Sequence, residues 1–227
     1  MKNHLKRIAS PSTWQIDRKS RVFTVRPKPG AHPLDKGMAM GVILRDKLNL
    51  AKTMSEVKKL LNQNEILVDG KRKKDYRLIV GLFDVLSVKT TGKNYRVILD
   101  SKGRVAIKEI DGKESSLKVC KVVGKTTISK GKIQLNLHDG KNILSDADVK
   151  VGDSLLLSLP KLEVKKVLPL KNNTTVFLTD GKHAGLAGQL KEIKNNEAIF
   201  VVDGKDIETA KKYLFVVGEQ KAEVTIN

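Results

Sequence analysis

After Thr90 the chain becomes a run of short Val-, Ile- and Leu-rich segments broken by turn residues, and this alternation constrains the fold more than any other feature. The segments are 95–99, 105–110, 117–123, 133–137, 154–159, 174–178, 198–202 and 213–217. They are too short for ordinary helices and have the length of strands, so they predict small antiparallel barrels rather than a helical domain. Asp-Gly-Lys occurs five times, starting at 69, 111, 139, 180 and 203. The irregular spacing marks a reused hairpin turn rather than a structural repeat. Each copy sets a lysine at a loop tip, where solvation is its default role.

The front of the chain reads differently. In residues 53–77, TMSEVKKLLNQNEILVDGKRKKDYR, Thr53 can cap a helix and Glu56 stands three positions on to complete a capping box. Met54, Val57, Leu60 and Leu61 recur at helical spacing, with Lys58 and Lys59 off that stripe. Ile66, Leu67 and Val68 read as a strand, and Asp69-Gly70 readily takes the positive φ angles of a two-residue hairpin turn. Lys71, Arg72, Lys73 and Lys74 follow at once. Four adjacent like charges repel one another and add nothing to a core, so an outside anion is the better reason for them than a merely solvated turn.

Charge supports that reading. The 227 residues hold 44 Lys and Arg against 25 Asp and Glu, a formal +19, and the pI is about 9.9. Residues 1–80 carry 19 basic and 7 acidic side chains, net +12, and residues 81–227 carry 25 and 18, net +7. Such a field steers a polyanion and supplies affinity through counterion release. Aromatics make up only 4%, too few for a broad stacking platform. The lone Cys120 excludes an internal disulfide and a cysteine-based zinc cluster, which points to a reducing interior. His4, His32, His138 and His183 are too scattered for a local ligand set. No apolar run approaches the ~20 residues of a membrane span, and MKNHLKRIAS carries charge where a signal peptide needs its apolar stretch. A soluble intracellular protein without metal, cofactor or small-molecule substrate is expected.

Residues 1–36 hold nine Lys or Arg and four of the six prolines, with no sustained apolar period. They read as an irregular basic arm that stays mobile alone and orders on a partner. Trp14 anchors that arm on the following domain or, alternatively, stacks on a base. A first helix is predicted through Met40, Ile43, Leu44 and Leu48. Late in the chain, 175–193 reads TVFLTDGKHAGLAGQLKEI, where glycines let the backbone turn sharply and Lys182 and His183 offer donors at a loop tip.

Taken together, HLKRIASPSTW, PGAH, LRDKLNLAKT, VDGKRKKDYR, VGLFDVLSV, KVGDSLLLSLP, DGKHAGLAG and LFVVGE resemble one family over nearly the whole chain, the archaeal and eukaryotic type of small-subunit ribosomal protein four. Ala31, and Ile79 before Val80-Gly81-Leu82, stand where members of that family often carry Pro. The resemblance implies an α+β, mostly β fold. It divides into a basic arm (1–36), an αL-type RNA-binding domain (37–90), a central β domain (91–172) and a KOW-like, SH3-like barrel with C-terminal strands (173–227). It also implies a non-catalytic constituent of the cytoplasmic small ribosomal subunit, with small-subunit ribosomal RNA and neighbouring ribosomal proteins as partners. Lys58, Lys59, Lys71, Arg72, Lys73, Lys74 and Arg77 would contact phosphates. Lys2, Lys6, Arg7, Arg18, Lys19, Arg21, Arg26 and Lys28 of the arm would thread between RNA helices. Arg45 and Lys47 extend that surface, and Lys182 and His183 add a contact at the glycine loop.

Two other readings use parts of the same pattern. The αL motif also resembles modules attached to RNA-modifying enzymes such as pseudouridine synthases, with Asp100, Asp111 and Asp153 as available carboxylates. These aspartates read better as turn residues, and no Cys/His or Ser/His/Asp grouping or phosphate-binding loop accompanies them. A transcription elongation factor would share the KOW loop, but would have little need of a basic arm.

Overall fold

Strand pairing governs most of the chain. The structure, a computed structural model, describes every residue except 1, 2, 64, 129, 130, 146, 203 and 227. Lys2 of the basic arm and Asp203 of the fifth Asp-Gly-Lys lie outside the described residues. Two compact units are present: Met1–Ile98 with Arg104–Ser115, and Leu99–Gly103 with Ser116–Asn227. Among the described residues no helix is long and apolar enough to cross a membrane.

In the first unit, β1 (Leu5–Lys6) and β2 (Phe23–Thr24) form a short antiparallel pair within the arm. β3 (Gly37–Ala39) runs into α1 (Met40–Val42), and α2 (Met54–Asn62) follows. Next come β4 (Ile66–Val68), β5 (Lys71–Arg72), β6 (Ile79–Gly81), β7 (Val85–Val88), β8 (Lys93–Leu99) and β9 (Val105–Ile110). β3 pairs with β6, and the rest form a five-stranded sheet in the order β5-β4-β7-β8-β9.

The first helix departs from the expected even α-helix. Its single α turn passes at Ile43 into a π-helical turn over Ile43–Lys47. The Leu48 N–H donates to Ile43 O and the Leu50 N–H to Leu44 O, each at 2.9 Å. Ile43 and Leu44 stay fully buried, whereas Arg45, Asp46 and Lys47 are only partly covered. Asn49, at φ 51°, ends the turn in the left-handed region that Asn tolerates.

The arm carries more internal structure than its composition suggests. Trp14 is buried, and its indole N–H donates to Gly37 O at 2.8 Å and Leu34 O at 3.1 Å. The Val105 N–H donates to Thr13 O at 2.9 Å. Of the two roles open to Trp14, the structure gives it that of an anchor. His32 packs against Gly81, where a Cβ would overlap the imidazole ring. Its Nε2 lies 2.9 Å from Asp84 Oδ2, which also accepts from the Gly81 N–H at 2.9 Å.

The second unit contains two antiparallel sheets. β10 (Leu117–Thr127), β11 (Ile133–Leu137), β12 (Asn142–Leu144), β13 (Ser154–Ser158) and β14 (Glu163–Leu168) are ordered β12-β11-β10-β13-β14. β15 (Thr175–Leu178), β16 (Ala187–Lys194), β17 (Glu197–Val202), β18 (Lys205–Ala210) and β19 (Leu214–Gly218) are ordered β18-β17-β16-β15-β19. Cys120, Val122, Leu135, Leu137, Val149, Leu155 and Leu157 form one core cluster.

The Asp-Gly-Lys copies do not share one geometry. Asp69-Gly70 makes a two-residue hairpin with both residues at positive φ. The copy at 111 instead leads into a 3-10 turn over Glu114–Ser116, with the Ser115 N–H on Asp111 O. In the copy at 139 the lysine, Lys141, folds back to 3.1 Å from Asp139 instead of standing at a free tip. The tripeptide sets a turn, and the flanking strands decide which one.

Candidate nucleic-acid interface

The cap of α2 forms as its residues dictate. Thr53 Oγ1 accepts from the Glu56 N–H at 3.3 Å, and Glu56 Oε2 accepts from the Lys52 N–H at 2.8 Å. The Lys52 bond, followed by the one with Thr53, holds the Glu56 carboxyl below its ordinary pKa. Val57 and Leu61 face the core, leaving Lys58 and Lys59 exposed.

The hairpin after α2 presents its cations from a fixed base. Asp69 at its turn is buried, and its Oδ1 accepts from the Val85 N–H at 3.0 Å, tying the turn to β7. Lys71, Arg72, Lys73 and Lys74 are all exposed. Arg72 Nη2 donates to Asn62 O at 2.9 Å, so this cation closes the C-terminal end of α2. Lys71, Lys73 and Lys74 have no ion-pair partner among the described residues.

A cleft of about 360 Å³ joins separate pieces of the predicted surface. Arg26 from the arm, Arg45 from the π turn, Lys58 from α2 and Arg77 line it together with Asn3, Phe23 and Tyr76. Arg77 is fixed by donating from Nε to Arg26 O at 3.1 Å and from Nη2 to Asn3 Oδ1 at 3.4 Å. Lys58 Nζ sits 4.9 Å from the Tyr76 ring centroid. Lys28 is exposed and 2.5 Å from Asp75, whose carboxylate also accepts from the Arg77 N–H.

A second cleft, lined by Arg7, Arg21, Arg45, Asp46 and Lys52 among others, shares Arg45 with the first. Lys52 was not singled out from the sequence. It precedes α2, and it lines the same cleft as Arg45 of the π-helical turn. Phe23, Asn3 and Tyr76 were also missed, because an isolated aromatic or Asn in irregular sequence carries no periodic signal.

Several predicted cations are committed within the protein. Arg7 is 3% exposed; its guanidinium donates to Asp17 O at 2.6 Å, Ser20 Oγ at 3.1 Å and Asp46 Oδ2 at 3.1 Å. Arg18 holds the start of the arm by donating to Ile8 O, Ser10 O and Pro11 O. Arg45 grips Asp46 bidentately at 2.7 and 2.8 Å, a pairing that raises its pKa despite partial burial. Burial alone would raise the Asp46 carboxyl, but the Arg45 bond and the fields of Arg45, Arg7 and Arg21 bring it below its ordinary value. Lys47 donates to Gln15 Oε1 at 3.1 Å, and burial lowers its pKa. Lys6, Lys19, Arg21 and Arg26 stand exposed.

In the second unit, Lys182 is exposed and His183 half-buried in the loop between β15 and β16. Gly185 in that loop has φ 89°, and a Cβ there would overlap Asp100 O. Asp153 is consumed by its turn, accepting from the Lys150 and Leu170 N–H groups at 2.8 Å each. Asp100 likewise accepts from the Ser101 N–H at 2.7 Å. Cys120, His138 and Asp139, scattered in sequence, bring ligand-type atoms within 4.8 Å of one another. They fit a metal poorly: the Lys118 ammonium lies 2.9 Å from Asp139, Lys141 lies 3.1 Å from it, and His138 Nδ1 accepts from the Lys121 N–H. Two lysines already neutralise the carboxylate.

The family models match in chain order. The RS4NT domain matches residues 1–35, the S4 domain residues 42–86 and ribosomal family S4e residues 91–164. The small ribosomal subunit protein eS4 of Methanocella arvoryzae is 40% identical over 228 residues, covering 98% of this chain and 97% of that protein. The eS4 protein of Methanothermobacter thermautotrophicus is 39% identical over 233 residues, covering 99% and 96%. A crystal structure of the 30S ribosomal protein S4e from Thermoplasma acidophilum superposes with a TM-score of 0.72 at 25% identity, covering 85% of this chain and 99% of that one. Near-full-length identity of this order, with the same mostly β architecture, establishes that the chain belongs to ribosomal family S4e.

Proposed function

We propose that this protein is a structural constituent of the small ribosomal subunit in the cytoplasm, and that it binds and stabilises folded ribosomal RNA. The observation that carries this reading is the hairpin after α2, tied to β7 through Asp69, from which Lys71, Lys73 and Lys74 project without internal counter-charges among the described residues. Lys58, Lys59, Arg26 and Arg77 extend that surface, and the exposed Lys6, Lys19, Arg21 and Lys28 continue it along the arm. Arg7, Arg18, Arg45 and Arg72 support the same surface from below by fixing the arm, the π turn and the hairpin. Lys182 and His183 form a separate contact from the second unit, on a loop we read as KOW-type. Neighbouring small-subunit proteins are the further partners.

A-form RNA hides its base edges in a deep groove, so recognition here rests on shape, phosphates and ribose hydroxyls. No catalytic step is assigned, since the carboxylates of Asp100 and Asp153 are engaged with backbone amides. The test is a salt series of binding to small-subunit ribosomal RNA. Replacing Lys71, Lys73 and Lys74 by Ala should weaken binding and flatten the plot of log affinity against log salt by roughly 0.7–0.9 per lost phosphate contact. An unchanged slope would remove the hairpin from the interface.

A further inference from the structure

The cleft lined by Phe23, Tyr76, Arg26 and Arg77 has a chemistry that phosphate binding alone does not explain. Its ten lining residues include four cations and no carboxylate. Phe23 is 51% exposed and meets only a tilted His4 ring, 5.4 Å away among the described aromatic contacts. Phe23 thus offers an open aromatic face beside the cations of the cleft. Tyr76 contributes a second ring, with the Lys58 ammonium 4.9 Å from its centroid. Arg77 is held through Nε and Nη2, so its Nη1 keeps two donors without a protein partner among the described residues.

We propose that this cleft receives one unstacked RNA nucleotide, its base against Phe23 and Tyr76 and its phosphate on Arg77 and Arg26. The proposal rests on the RNA-binding reading above and specifies the kind of RNA feature bound: a bulged or loop nucleotide beside a helix. The volume, about 360 Å³, lies near the lower end of the roughly 300–1,000 Å³ typical of small-molecule sites, enough for one nucleotide and too little for a duplex. Charge complementarity selects the anion, and the rings supply the stacking that a splayed-out base seeks and a paired base does not. A scarcity of aromatics rules out a long single-strand platform, and a pocket for one base needs only these two rings.

The experiment compares the full chain with Phe23→Ala, Phe23→Trp and Tyr76→Phe variants on two fluorescein-labelled probes, a short single-stranded oligouridine and a blunt RNA duplex. Phe23→Ala should lose roughly 5- to 150-fold in affinity for the single strand, the worth of one stacked base. It should leave duplex affinity and the salt slope unchanged, because stacking releases no counterions. Phe23→Trp and Tyr76→Phe, which keep a ring, should bind the single strand as wild type does. The exposure of Phe23 lets the Ala variant fold, which an unchanged melting temperature verifies. No loss on the single strand, or an equal loss on both probes, overturns the proposal. If that occurs while wild type still binds the duplex and ribosomal RNA, only the nucleotide cleft falls; if wild type binds none of the RNAs, the RNA-binding reading falls with it.

Discussion

Arg7 Nη2 lies 3.1 Å from Asp46 Oδ2, with 4% and 20% of the two side chains exposed, so one carboxylate on the π turn fastens the N-terminal arm to its domain. Asp46 also holds Arg45, which lines both basic clefts. Asp46→Asn would remove the counter-charge of the buried Arg7, whose other acceptors, Asp17 O and Ser20 Oγ, are neutral. We expect a loss of about 2–3 kcal/mol, below the roughly 3–5 of a fully buried pair because Asp46 keeps some solvent. A urea-denaturation midpoint measures it, and limited proteolysis should show earlier cleavage within the arm.

The Lys118–Asp139 pair gives a pH dependence of defined sign. Both side chains are fully buried and 2.9 Å apart. Burial alone would raise the Asp139 carboxyl, but the charges of Lys118 and Lys141 outweigh it and hold its pKa far below the usual carboxylate range. A folded-state pKa below the unfolded one means the stabilisation is complete above the ordinary Asp value of about 4 and is lost as pH falls beneath it. Asp46 is lowered in the same sense and adds to this acid limb. Melting temperatures between neutral and acid pH should fall in wild type, and fall less steeply in Asp139→Asn.

Asp139→Asn should itself be costly near neutrality, by about 3–5 kcal/mol, because it strands the Lys118 ammonium in the core. Replacing both partners, as in Lys118→Met with Asp139→Leu, should recover most of that loss, since apolar pairs of similar volume often substitute for buried ion pairs. Equal losses in the single and double variants would mean that the carboxylate acts through its turn bonds rather than through Lys118.

Gly185→Ala is expected to destabilise the second unit by about 3 kcal/mol or more, combining a left-handed φ of 89° with a Cβ overlapping Asp100 O. Circular dichroism on heating should show the drop. Gly204→Ala, at φ 77° but in open space, should cost less.

The sequence made the local structure of the basic segment more legible than some of the strands around it. The capping box of α2 and the Asp69-Gly70 turn are local, set by residues within a few positions, and both form as read. Of the β segments, β4, β8, β10, β11, β13, β15 and β17 in sheet interiors announced themselves by apolar runs, whereas β7 and β16, also interior, were not among the expected segments. β12, β14 and β18 did not announce themselves, because each lies at a sheet edge and carries polar or charged residues on its open side, as in EVKKVL and KDIETA. The π turn was hidden because Met40, Ile43, Leu44 and Leu48 fit a plain helix equally well, and the Arg7–Asp46 contact at that turn is long-range. For the same reason composition could count the arm's cations but not separate those facing outward from Arg7 and Arg18, which are spent inside.

The most direct measurement is sedimentation of cell lysate through density gradients at low and high salt, with fractions probed for this chain. Co-migration with small ribosomal subunits that survives the high-salt wash is expected of an integral constituent bound through many phosphate contacts and a folded arm. A chain that stays at the top of the gradient even at low salt would contradict a structural role in the ribosome.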